Sequence, residues 1–235
     1  MPSFVHEPKE ALAFFHEHGY LIERGLWPPD ERDKLVRASE NLPSFKDGTC
    51  APAMNPHNWD RVFFRALAYP PLLRILELIL GGRVSGIQTE FFIGKPGTPG
   101  FAAHQDNYYV EAPRDAFVSV WSPMVDVSRT NGTLMIYPGS HHENILPIEP
   151  VEVIEDPGQD KNAHRQQVVL PDKYRPMDVI ASAGDAVFIH GYLVHKSHKN
   201  LSNGYRRVLL STYIRAGVTF RPGNTAKRTE VNLYS

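Results

Sequence analysis

Cysteine is almost absent: Cys50 is the only one among 235 residues, so no intrachain disulfide is possible and a reducing, cytoplasmic setting is expected. A dominant charge is absent too. Lys and Arg total 25 against 26 Asp and Glu, for a formal charge of -1. No run of one sign is long enough to track a phosphate backbone, so nucleic acid is not an expected partner. No uninterrupted apolar run approaches the length of a bilayer span. The start, MPSFVHEPKEALAFFHEHG, lacks the charged-then-apolar order of a signal peptide, and a soluble chain with no membrane partner is expected. The end, NLYS, matches no targeting tripeptide, Cys50 sits in no lipidation context, and no pattern speaks to oligomeric state. What is plentiful is punctuation, with 20 Pro and 17 Gly, as short strands joined by many turns require. With 42% hydrophobic residues, the chain has enough apolar mass for one sizeable core.

The first third reads as helical. Residues 8–18 carry Leu12, Phe14 and Phe15 and stop at Gly19, the pattern of a short amphipathic helix. GYLIERG then reads as a brief strand. Pro28-Pro29-Asp30 opens a second helix running through Leu42, and residues 69–80, closed by Gly81-Gly82, form a third. Residues 43–60 are expected to be a Pro- and Asn-rich loop. From Val84 the texture changes to short β-branched and aromatic stretches: VSGIQTEFFIG, AFVSVWSPMV, GTLMIYPGS, QQVVL, DVIASA, GDAVFIHG and RRVLLSTYI. Such strands between Gly and Pro turns, with no helices interleaved, point to a sandwich or barrel and not to a parallel α/β sheet. The expected architecture is mainly β with N-terminal helices. It is one domain over 1–235: a helical layer to about residue 83, a jelly-roll, cupin-like core over about 84–216, and an extension over 217–235.

His104-Gln105-Asp106 sets an imidazole and a carboxylate two residues apart, and on an extended backbone both leave the same face. The tripeptide alone is weak, because 11 histidines make chance occurrences common. A distant third histidine would complete a set of two His and one carboxylate, which leaves open positions on iron. His190, His195 and His198 compete for that place. His195 is preferred because it sets two further offsets, Ser197 two residues on and Arg206 eleven residues on, past a turn-forming SHKNLSNGY. A guanidinium brought back beside the metal binds a carboxylate through two parallel hydrogen bonds, and Ser197 can add a hydroxyl.

HQDNYY, the downstream NGTLMIYPGSHH, GDAVFIHGYLVHKSHKN and the final RR together resemble the phytanoyl-CoA dioxygenase family, over roughly residues 84–216. The resemblance implies a double-stranded β-helix and Fe(II) held by His104, Asp106 and His195. It implies 2-oxoglutarate as co-substrate with O2, its distal carboxylate on Arg206 and Ser197, with ascorbate as a possible aid in vitro. Trp121 resembles a family residue lining the co-substrate pocket. Gln88, Thr89 and Lys95 lie on a strand that contributes polar contacts in relatives, although a one-residue slip turns every side chain there to the other face. Asp106, a residue that related halogenases replace by a small one, implies hydroxylation of a small organic metabolite with release of succinate and CO2.

Several groups have plainer roles. Arg206 and Arg207 face opposite sides of a strand, and the offset selects Arg206. Pro138-Gly139-Ser140-His141-His142 reads as a turn whose adjacent histidines point apart, and His16-Glu17-His18 lacks the spacing of a helical zinc site. Among the aromatics, Phe92 and Tyr108, with Asn107, are expected to wall the substrate. The competing functions are a non-catalytic jelly-roll binding protein that retains a metal, and a cupin-type metalloenzyme that does not use 2-oxoglutarate.

Overall fold

A computed structural model describes residues 1–151 and 166–234 of the chain. In chain order the elements are α1 (Pro8–His18), β1 (Tyr20–Glu23), α2 (Pro29–Ser39), α3 (Pro43–Lys46), β2 (Ala53–Met54), α4 (Arg61–Leu67), α5 (Pro70–Leu80), β3 (Val84–Gly94) and α6 (Asn107–Val110). There follow β4 (Phe117–Pro123), β5 (Leu134–Ile136), β6 (Ile148–Pro150), β7 (Gln166–Val168), β8 (Met177–Asp178), β9 (Ala186–His190), β10 (His195–Ser197), β11 (Arg206–Arg215) and β12 (Val231–Asn232). One antiparallel sheet has the order β1-β9-β4-β11-β3-β12, with β2 also on β3, and a smaller sheet has the order β10-β5-β8. Together they make the jelly roll of a double-stranded β-helix.

The helices cover the outer face of the large sheet. In α5 the apolar residues Leu72, Leu76 and Leu80 are buried along one stripe, and burying each leucine stabilises the fold by about 1.5–3 kcal/mol. They meet a sheet face carrying Phe91, Val118, Val120 and Leu209. The opposite face, with Trp121, Val187, Ile189 and Val208, closes against Leu134 and Ile136 of the small sheet to form the interior of the roll.

The second helix stops at Ser39 instead of Leu42, since Pro43 restarts the chain as α3. The stretch expected as a loop contains α3 and β2, and α4 follows it on an N-cap from Asp60, whose side chain accepts from Val62 N at 2.8 Å. The extension also joins the fold, β12 pairing with β3 through Val231 and Asn232.

The PGSHH turn has a structural use. His141 Nε2 lies 3.0 Å from the His16 carbonyl and His142 Nε2 3.0 Å from that of Glu17, so both rings satisfy the last carbonyls of α1. Gly19 takes the left-handed conformation (φ 79°) directly beneath, where a Cβ would collide with the His141 ring. Burial, reinforced by His190 and His142 against the His16 hydrogen bond, pushes the His141 imidazole down to about 4. Between that value and the unfolded histidine value near 6.5, the unfolded chain binds the extra proton. Stability therefore falls as pH falls through this window, by up to about 3 kcal/mol from this residue. The metal-free protein should melt at lower temperature at pH 5 than at pH 7, and His141→Gln should flatten that slope; an unchanged slope refutes the assignment.

Candidate metal centre

His104 and His195 are brought together by an isolated antiparallel bridge, in which His104 N donates to His195 O and His195 N to His104 O, each at 3.0 Å. Asp106 arrives differently from expectation. It is not on an extended strand: with φ -59° and ψ -36° it caps the short helix α6, and the turn swings its carboxylate back toward His104. Asp106 Oδ1 lies 3.4 Å from His104 Nε2 and 3.7 Å from His195 Nε2. One ligand atom from each residue falls within 4.8 Å of the others, in the one such cluster among the described residues.

The remaining atoms are arranged so that the right ones face inward. His104 Nδ1 sits 2.8 Å from the Ala102 carbonyl and His195 Nδ1 3.1 Å from that of Leu193. A carbonyl only accepts, so both Nδ1 atoms carry the proton, and the Nε2 atoms are the ones turned toward Asp106 Oδ1. The Ser119 hydroxyl donates to Asp106 Oδ2 at 2.5 Å, which leaves Oδ1 for the ion. Burial opposes the charged form of Asp106, but His195, His104 and the Ser119 hydrogen bond outweigh it and hold the carboxyl well below the usual range. Burial, then His104, pushes His195 down to about 4 against the pull of Asp106. A carboxylate beside a neutral imidazole is the state a divalent ion requires, and two nitrogens with one oxygen suit Fe(II).

Ser119 gave no signal in the sequence, because only the fold brings it to Asp106. Ser119→Ala should free the carboxylate to turn and weaken Co(II) or Fe(II) affinity by about 10–100-fold, as read by metal titration; unchanged affinity excludes the orienting role.

The rival histidines are occupied elsewhere. His190 Nε2 pairs with Asp115 at 2.9 Å and His198 Nε2 with Asp178 at 2.7 Å. Ser197 follows His195 on the same side of β10, with its Oγ accepting from Phe101 N at 2.8 Å. A Cβ on Gly100 would collide with the Ser197 carbonyl, so glycine is what lets this segment lie against β10. Arg206 is buried at the start of β11, its Nη1 donating to the Gly132 carbonyl. Its Nε is buried with no hydrogen-bond partner among the described residues, and burial lowers the guanidinium to about 10. An inward-facing cation with an orphaned donor fits a carboxylate that binds from outside the chain.

Strand register decides the polar residues of β3. Gln88 opposes Thr212, which opposes Ser119, and Glu90 opposes Leu210, which opposes Trp121. Gln88, Glu90 and Phe92 therefore share the interior face with Trp121. Thr89 turns outward to the helical layer, where its Oγ1 lies 2.7 Å from His57 Nδ1, so the pocket contact expected of it is not made. Lys95 is exposed, reaching the Gly48 carbonyl at 3.3 Å, and is also away from the centre. Asn107 does not face a substrate: its amide is spent on the Ala112 backbone, accepting at 3.0 Å and donating at 2.8 Å. Tyr108 and Tyr109 do line a small cavity, together with His104, Leu146, Ile148 and Val168.

The family model described as Phytanoyl-CoA dioxygenase (PhyH) matches residues 15–208. The human peroxisomal phytanoyl-CoA dioxygenase is 27% identical over 230 residues, covering 85% of this chain and 66% of that protein. A probable phytanoyl-CoA dioxygenase of Caenorhabditis elegans is 28% identical over 234 residues, covering 87% and 74% respectively. The chain thus spans about two thirds of the length of the human relative. Among solved structures, the epimerase SnoN in complex with Fe3+, alpha ketoglutarate and nogalamycin RO superposes with a TM-score of 0.76 at 18% identity, over 91% of this chain and 86% of that one. EvdO2 from Micromonospora carbonacea var. aurantiaca, complexed with 2-oxoglutarate, gives 0.72 at 16% identity, over 94% and 92%. These structures share the fold.

Proposed function

Because the chain belongs to the phytanoyl-CoA dioxygenase family of Fe(II)- and 2-oxoglutarate-dependent oxygenases, we propose that it hydroxylates a small organic metabolite at the centre formed by His104, Asp106 and His195. The observation that carries this reading is the convergence of those three side chains, with inward Nε2 and Oδ1 atoms, on one point. Fe(II) bound there, with 2-oxoglutarate and O2, supplies the oxidising power for C–H hydroxylation, with succinate and CO2 as co-products.

The chain's own residues do the rest. The Ala102 and Leu193 carbonyls fix the tautomers of the two histidines, and Ser119 fixes the carboxylate. Arg206 would hold the distal carboxylate of 2-oxoglutarate through its Nε, and the Ser197 hydroxyl would be a second contact. Trp121, packed in the roll interior, walls the co-substrate pocket and excludes water. Gln88 offers an amide on the same face, and Phe92 and Tyr108 are the substrate walls. Among the described residues no helix is long and apolar enough to cross a membrane. Cytoplasmic working with a small-molecule partner, not nucleic acid, belongs to the same reading, supported by the single cysteine and the balanced charge.

The deciding experiment is succinate release from 2-oxoglutarate by the purified protein with Fe(II) and O2, including the slow reaction without substrate. Formation of succinate that stops on chelation of iron is expected. Tight metal binding with no succinate at all would instead identify a metal-retaining binding protein.

A further inference from the structure

Glu90 and Arg228 are charged groups that the oxygenase machinery leaves unused. Glu90 sits on the interior face of β3 with Gln88 and Phe92, and its carboxyl accepts from the Gln88 amide. No ion pair to it is found among the described residues. Arg228 comes from the segment after β11, beyond the residues 15–208 that the family model matches. That segment is tied down at both sides. Met54 pairs with Glu90 in register, and the next residue, Asn55, donates through Nδ2 to the Ala226 carbonyl at 2.7 Å. Arg221 Nη2 donates to the Tyr108 carbonyl at 2.8 Å, and Arg228 Nη1 to that of Tyr109 at 3.2 Å.

Arg228 therefore spans from the edge of β3 to the turn that follows Asp106. Its Nε is buried and has no partner among the described residues. Glu90 and Arg228 are near enough to feel each other and Asp106 electrostatically, yet they form no ion pair. Half-buried charges of opposite sign left apart favour a guest that meets both.

We infer that Glu90 and Arg228 form a polar clamp beside the metal centre that takes a zwitterionic small molecule, its anionic group on Arg228 Nε and its cationic group on the Glu90 carboxyl. This rests on the oxygenase reading and names its substrate class. A hydrocarbon chain in the same place leaves both groups unmatched, a strong ground for rejection.

The test measures succinate formation with Fe(II) and 2-oxoglutarate in the presence of two sets of compounds. One set is the common α-amino acids and their N-methylated betaines; the other is straight-chain acyl-CoA thioesters from hexanoyl to palmitoyl. At least one zwitterion should stimulate turnover. Glu90→Gln and Arg228→Gln should each raise its KM by about tenfold or more, the loss of one charged hydrogen bond, while the KM for 2-oxoglutarate moves less. The Co(II) absorption spectrum of each variant reports that the centre is still assembled. The clamp is overturned if only acyl thioesters stimulate, if no zwitterion does, or if both variants keep the parental KM. Parent protein that consumes 2-oxoglutarate but ignores every zwitterion refutes the clamp alone; parent protein that never consumes it refutes the oxygenase reading and the clamp with it.

Discussion

His104→Ala and Asp106→Ala should each lose tight Fe(II) binding, and with it succinate formation. Structural Zn(II) in zinc-finger peptides binds with roughly 10–16 kcal/mol over four ligands, and Fe(II) binds more weakly than Zn(II) at a given site. Loss of one ligand of three is therefore expected to cost about 3 kcal/mol, or about a hundredfold or more in affinity. The loss is compounded by what stays behind. Without Asp106, the Ser119 hydroxyl loses its acceptor and the two histidines lose the carboxylate that faces both at 3.4 and 3.7 Å. Co(II) titration by visible absorption reads the effect directly, and circular dichroism checks that the roll still forms. Parental metal stoichiometry in both variants would remove the centre from this location.

Arg206→Ala should act on the co-substrate and spare the metal. Truncating one member of a buried hydrogen-bonded charge pair costs about 2–5 kcal/mol, which raises the 2-oxoglutarate KM by roughly 30-fold or more. Arg206→Lys keeps the charge but loses the fork, since the orphaned donor is Nε, and should fall between the two. Metal affinity should be parental in both variants, because Arg206 reaches none of the three ligands through any hydrogen bond found here. A metal-dependent activity indifferent to Arg206 would instead point to a cupin-type enzyme that does not use 2-oxoglutarate.

Local spacing made part of this legible in the sequence. His195, Ser197 and Arg206 were readable because β10 alternates its side chains and a turn returns the chain to β11. The partners of His190 and His198, which remove them as rivals, lie 75 and 20 residues away in sequence and leave no local trace. The H-x-D spacing points to the site for an incomplete reason: extended geometry implies a common face, whereas a helical turn at Asp106 delivers it. Phase on β3 is not set by anything local to VSGIQTEFFIG; the unbroken pairing from Arg206–Gly94 to Thr212–Gln88 sets it, and the register shift lies beyond, at Ile87. That pairing turns Gln88 and Glu90 inward and Thr89 outward. Ser119 and Arg228 were invisible for a different reason. Ser119 lies in the strand AFVSVWSPMV but in no motif, and Arg228 lies in neither, so their partners are set only by contacts across the fold.

The bridge between His104 and His195 joins residues 91 positions apart (195 − 104), and Arg206 and Arg228 lie later still. The order of synthesis then constrains when the protein can acquire iron. While the ribosome has released only the helices and β3 to β9, the emerging polypeptide holds two of the three ligands and Ser119 on β4, but not β10, whose His195 bridges His104. Long-range pairing of this kind is slow to form. The three-ligand centre therefore assembles only once His195 has been made and paired with His104.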